Sequence, residues 1–159
     1  MDTVLNSVYT EAIMDVISAL AGIELKESND LLDLHISKSS ETIHYVMGLM
    51  FLKGQHHAVL GITASFHTMR ILCSYMLGVS LVKVSYDDVQ DAICELVNMT
   101  AGSVKTRLRD TEYEALLTTP FAITGVDLNL YIKERVAQIE SILLDEETDI
   151  RLHLQVIYE

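Results

Sequence analysis

The sequence predicts an α+β fold: a mostly antiparallel sheet with three main helices, built as a degenerate pseudo-twofold duplication. Three observations carry this. Helix-period and strand-period segments both occur, and the strand runs are separated by short turns. Three helical segments carry their own start or stop residues. Residues 11–22 (EAIMDVISALAG) lie without a gap over residues 91–102 (DAICELVNMTAG), at an offset of 80.

The first helix is predicted from Asn6 or Ser7, either of which can cap it, to about Ala21. Val8, Ala12, Ile13, Val16, Ile17 and Leu20 repeat at the spacing of one helix face, and Gly22 is placed to end it. Strands follow. Residues 31–37 (LLDLHIS) alternate, with Leu32, Leu34 and Ile36 on one side. Residues 42–52 become apolar on both faces, which suits a central strand, although periodicity alone also admits a short buried helix. A turn at Gly54 leads to a hairpin partner over His57–Ala64.

Ser65 is the expected cap of the second helix. Its inner stripe is Phe66, Met69, Leu72, Cys73 and Met76, and Gly78 ends it. The third helix runs from Ser85 to about Arg107, with Ser85 and Asp88 spaced as a capping box. After a charged loop, RDTEYEA, Pro120 opens a strand-like run to Ile132. The end reads as a hairpin. One strand covers about Val136–Leu144, although a helix over Arg135–Leu144 has a similar pattern, and the other is IRLHLQVIY after a DEETD turn.

The chain has 159 residues, the size of one domain, and no linker-like segment divides it, so 1–159 is expected to be a single unit. Half of the residues are hydrophobic, enough for a core. The net charge of −12 disfavours nucleic acid and anionic membrane surfaces, whose recognition depends on neutralising phosphates. The N-terminus lacks the basic and apolar regions of a signal peptide. The longest apolar stretches, around Tyr45–Leu52, are too short to span a bilayer. A soluble cytoplasmic protein is expected. Cys73 and Cys94 read as reduced thiols in or near the core, with no zinc spacing. The six histidines show no ligand spacing, so no metal site is expected. The methionines read as core or interface filler.

The third helix carries the candidate site. At 100° per residue, Ile93, Leu96, Val97, Thr100, Val104 and Leu108 gather on one side. Asp91, Glu95, Asn98, Gly102 and Lys105 form a narrow polar stripe on the other. A Glu and an Asn three residues apart are ordinarily only a wet helix face. The repeat supplies a comparison. Ala12/Ala92, Ile13/Ile93, Ala21/Ala101 and Gly22/Gly102 are identical, whereas Glu95 and Asn98 correspond to the shorter Asp15 and Ser18. That contrast narrows the stripe to Glu95 and Asn98. Asp91 can equally serve the positive end of the helix dipole. Gly102 permits either tight packing or close approach of a partner. Downstream, Val46-Met47-Gly48 corresponds loosely to Ile123-Thr124-Gly125.

Asp91-Ala92-Ile93-Cys94-Glu95-Leu96-Val97-Asn98, with the later Gly102, resembles the motif Asp/Ser-x-x-x-Glu-x-x-Asn of the CheC/CheX/FliY chemotaxis phosphatases. The wider context is similar to CheX-type members: EAIMDVISALAGI at the start, GITAS before SYMLG, and Pro120 at about the expected distance from the Asn. Asp15 and Ser18 place the chain with the one-site members. The resemblance implies a phosphatase acting on the phosphoaspartate of a CheY-type response regulator. Asn98 would orient the attacking water and Glu95 would pair with the regulator's lysine, with Asp91, Gly102 and Lys105 as partner contacts. It implies no cofactor of the chain's own, Mg²⁺ on the regulator, and a homodimer, for which an exposed edge on the C-terminal strands would serve. The flagellar switch proteins share the fold without the site, which leaves a non-catalytic binding domain as an alternative. A small-molecule sensor with a pocket between sheet and helices is the other.

Overall fold

The computed structural model describes residues 2–28, 43–126, 128, 130–133 and 137–159. Helix α1 spans Asp2–Ala21, α2 spans Phe66–Leu77 and α3 spans Tyr86–Arg107. The strands are β1 (Lys26–Ser28), β2 (Tyr45–Gly54), β3 (Ala58–Ser65), β4 (Ala115–Leu117), β5 (Phe121–Gly125), β6 (Ala137–Asp145) and β7 (Ile150–Tyr158). They form one sheet in the order β1-β6-β7-β3-β2-β4, with β5 also on β2, and every pairing is antiparallel. The α+β expectation holds. The strand expected at 31–37 lies outside the described residues.

The sheet order is itself symmetric. Antiparallel β3 and β7 meet at its centre, from Ala58↔Tyr158 to Thr63↔His153. Outward from there come the hairpin partners β2 and β6. At the flanks, β1 from the first half pairs with β6, while β5 from the second half pairs with β2. The loose match of Val46-Met47-Gly48 with Ile123-Thr124-Gly125 is therefore corrected. These segments are neighbours in the sheet, with Val46↔Thr124 and Met47↔Ile123, and not equivalents. In position, β2 corresponds to β6 and β1 to β5.

Residues 45–54 form a strand because their apolar character continues on both faces. Val46, Met50 and Leu52 join the helix-covered core. Met47 and Leu49 pack on the other side with Val59, Leu128, Leu130 and Ile132. On β7, Leu152, Leu154 and Val156 turn to the helices by the same alternation. The C-terminal segments form the predicted hairpin, and among the described residues the outer edge of β6 is covered by β1 only at Ile142–Leu144. β7 lies between β6 and β3, while β1 stands at one flank of the sheet and β4 and β5 at the other.

Local chemistry sets most helix ends. The Ser65 hydroxyl accepts from the Thr68 amide at 3.0 Å. Gly22 and Gly78 end α1 and α2 with φ of +68° and +64°, which glycine adopts at no steric cost. The start of α1 is different. It begins at Asp2 and not at Asn6 or Ser7, because Leu5 and Tyr9 are buried and carry the helix back toward the N-terminus. By length and composition Thr3–Ala21 is apolar enough to cross a membrane, which the sequence reading did not find. Here its Leu5, Tyr9, Ala12, Ile13, Val16 and Ile17 are buried in the core beside the sheet.

Candidate functional site

Helix α3 starts from a complete capping box. The Ser85 hydroxyl accepts from the Asp88 amide at 3.1 Å, and the Asp88 carboxylate accepts from the Ser85 amide at 2.8 Å. The Ser85 hydroxyl also donates to the Asp88 carboxylate at 2.7 Å, and this bond, followed by that from the Ser85 amide, holds the Asp88 carboxyl below its ordinary value of 3.8. At the same end the Tyr86 hydroxyl donates to Thr124 of β5 at 2.8 Å, and its ring stacks on Phe66 at 5.0 Å. A cavity of about 420 Å³ opens there, lined by His44, Tyr45, Phe66, Tyr86, Thr124 and Gly125.

The buried face of α3 is the predicted one. Ile93, Leu96, Val97, Thr100, Val104 and Leu108 are all buried. Each large aliphatic side chain so placed contributes roughly 1.5–3 kcal/mol. Gly48 of β2 sets how close this face lies. A Cβ at Gly48 would stand 2.7 Å from Val97 Cγ2 and 2.9 Å from Ile93 Cγ1. Only a glycine lets α3 sit this near the strand. A glycine inside the apolar run YVMGLMFL was the sequence signal for such an approach.

With that face fixed, the opposite stripe points outward. Asp91, Glu95, Asn98 and Lys105 are exposed. Among the described residues, the side chains of Glu95 and Asn98 have no hydrogen bond or ion pair within the chain. At three residues apart on a helix their Cβ atoms stand about 5–6 Å from each other, so both can address one small target. Gly102 is in mid-helix, and a Cβ there would meet nothing within 4 Å. Tight packing is therefore not its role, and it leaves the surface flat beside Asn98.

Two cysteines flank this region. Burial, followed by the charge of Asp91, pushes the half-buried Cys94 thiol up. Burial, followed by Asp88 and Asp91, does the same to Cys73. Neither is activated as a nucleophile. Among the described residues no group of three or more His, Cys, Asp or Glu could hold a metal ion.

The first-copy helix presents the same stripe in a different state. Glu11, Asp15 and Ser18 stand where Asp91, Glu95 and Asn98 stand in α3. Arg107, the last residue of α3, donates to Glu11 at 3.0 Å and also ion-pairs with Asp15. Ser18 donates to Glu24. The carboxylates of the first stripe are thus engaged within the chain, and the sequence reading gave Arg107 no such role.

The architecture defines a class: one antiparallel sheet of symmetric order, covered on one face by helices, with an outward Glu-x-x-Asn pair on one of them. The profile of the family described as "Chemotaxis phosphatase CheX" matches residues 46–143, and the chain belongs to that family. No protein of curated function matches the sequence. Among solved structures, the chain is similar to a CheC-like superfamily protein from Shewanella sp. PV-4, at 23% identity and a TM-score of 0.81, covering 100% of this chain and 99% of that one. It is similar to the chemotaxis protein CheX from Vibrio vulnificus, at 20% identity and a TM-score of 0.77, covering 96% and 95%. It is also similar to a chain of the CheX–CheY–BeF₃–Mg²⁺ complex from Borrelia burgdorferi, at 14% identity and a TM-score of 0.63, covering 95% and 97%.

Proposed function

We propose that this protein accelerates hydrolysis of the phosphoaspartate of a CheY-type receiver domain. The observation that carries this is the outward, unengaged Glu95–Asn98 pair on a rigidly seated helix, in a chain of the CheX family. The crystallised relative in complex with CheY lends support to the choice of partner.

An acyl phosphate is already a reactive bond, so no strong base is needed. The task is to hold one water in line with phosphorus, and positioning is a large share of catalysis in phosphoryl transfer. Asn98 suits it: the carboxamide oxygen accepts from the water, the nitrogen donates, and the group carries no charge to repel phosphoryl oxygens. Glu95, one turn earlier, pairs with a lysine of the receiver and fixes register. The receiver brings its own Mg²⁺, which neutralises phosphoryl charge. Gly102 lets the partner's backbone approach, and Asp91 and Lys105 tune encounter from the rim. The homodimer belongs to the same proposal. The strand edges offered to it are the outer edge of β6 before Ile142 and that of β4 and β5, and sedimentation at micromolar concentration tests it.

The test is phosphate release from phosphorylated receivers of the source organism, with and without this protein. Asn98→Ala is expected to lose about a hundredfold or more of the acceleration, and Glu95→Ala to weaken association mainly. The reading is lost if wild type accelerates no receiver, or if Asn98→Ala matches it.

A further inference from the structure

A narrow stripe is too small to hold a partner alone. It offers five residues, one of them a glycine, whereas a specific interface takes roughly 20 residues a side. The surface continuous with it at the N-terminal end is the corner joining α2 to α3. There Tyr75, Leu77, Val79 and Val82 are exposed by 49%, 55%, 37% and 86%.

Hydrogen bonds tie this corner to α2 with its apolar side chains outward. The Val79 amide donates to the Ser74 carbonyl at 3.1 Å as α2 ends. A 3₁₀ turn over Leu81–Lys83 follows, in which the Lys83 amide donates to Ser80 at 2.9 Å. Arg70 of α2 reaches across to the Leu81 carbonyl at 2.8 Å. Val84 is buried as an anchor, and Ser85 then caps α3. Apolar side chains on a hydrogen-bonded backbone cost little entropy to bind, and among the described residues their exposure serves no packing. The corner also lies beside the stripe. Cys73, one turn before Leu77, donates to the carbonyl of Asp88, which stands one turn before Asp91 on α3, at 3.5 Å.

We infer that the corner is a second contact for the same receiver domain, receiving an apolar patch of that domain away from its phosphoryl group. This rests on the phosphatase reading above. From Tyr86 to Asn98 the helix rises about 18 Å, so a receiver centred on Asn98 and lying along α3 toward its N-terminus covers Val82. Its apolar patch then stands about 18 Å or more from its phosphorus. The two contacts divide the work: Glu95 and Asn98 meet charge and water, and the corner supplies desolvated area.

The experiment uses the full chain with CheY-type receivers of the source organism. One arm measures binding to a receiver loaded with beryllofluoride and Mg²⁺. The other measures phosphate release from the phosphorylated form. Val82→Asp is expected to raise the dissociation constant, and the concentration for half-maximal acceleration, at least about tenfold, as loss of an interface anchor does. Val82→Leu is expected to restore both. Val4→Asp, at a side chain 70% exposed on α1, is expected to change neither. The inference is overturned if Val82→Asp binds like wild type, or if Val4→Asp weakens binding as much. Wild type that binds the loaded receiver without accelerating release sinks the phosphatase reading alone, and the Val82→Asp binding arm still decides the corner. Wild type that neither binds nor accelerates any receiver sinks both.

Discussion

Arg107 ion-pairs with Asp15, the residue of α1 that stands where Glu95 stands in α3. The two helices share an ancestral-looking pattern, and one of them supplies the cation that occupies the stripe of the other. The two carboxylates are well exposed and the Arg107 side chain is partly so, which leaves the pairs open to solvent screening. Arg107→Ala is expected to cost under about 1 kcal/mol, with the loss shrinking as salt rises. Thermal melts at low and high ionic strength check this. Acceleration of receiver dephosphorylation should stay within about twofold of wild type, since surface pairs of this kind seldom shift a distant site.

Gly48 is the opposite case, a residue with no side chain that fixes the position of the site. Gly48→Ala brings a Cβ to 2.7 Å from Val97 and 3.0 Å from the Ile93 carbonyl. Overpacking of this kind costs about 1–3 kcal/mol. Because α3 must lift, phosphatase action should fall with stability. Gly48→Ala combined with Val97→Ala should recover more than the sum of the single changes, because the two sites touch. Chemical denaturation of the four proteins measures the coupling.

Gly102 separates folding from docking. Its surroundings are open and its backbone helical, so Gly102→Ala is expected to stabilise by about 0.5–1 kcal/mol. Gly102→Phe should fold as well but weaken the receiver complex by filling the flat surface beside Asn98. A melt and a binding titration on each variant distinguish the two effects.

Acid sensitivity follows from the α3 cap. The folded state holds the Asp88 carboxyl below its ordinary 3.8 by hydrogen bonds from Ser85, and Asp145 below the same value by hydrogen bonds from Thr148. A depressed folded value means the contribution is present above about pH 4 and lost as pH falls through the folded value. Stability should therefore decline below about pH 4. Asp88→Asn should flatten that decline while lowering stability at neutral pH, as pH-dependent denaturation midpoints would show.

What could be read from the sequence was what is local. Ser65, Ser85 with Asp88, Gly22 and Gly78 act within a turn of their own position, and each stands where its spacing put it. The hairpins at Gly54 and at 146–149 are equally local. The outward Glu95–Asn98 pair was legible because helical periodicity fixes facing once the buried side is known. Features set by distant chain were not. The start of α1 depends on burial of Leu5 and Tyr9, β4 on the edge of β2, and the Arg107 contacts on helices more than 90 residues apart. The shared Ala-Gly of the repeat was misleading. Gly22 ends its helix with a positive φ, while Gly102 lies inside a helix that continues to Arg107.

The exchange of flanking strands has a kinetic consequence. Ser28 of β1 must find Ile142 of β6, and Ala58 of β3 must find Tyr158 of β7. Neither hairpin can complete its own flank, so no half of the sheet closes by itself. Contacts of such sequence separation slow folding. During synthesis β3 carries an unpaired edge until β7 has been made, and that edge is the hazard for aggregation.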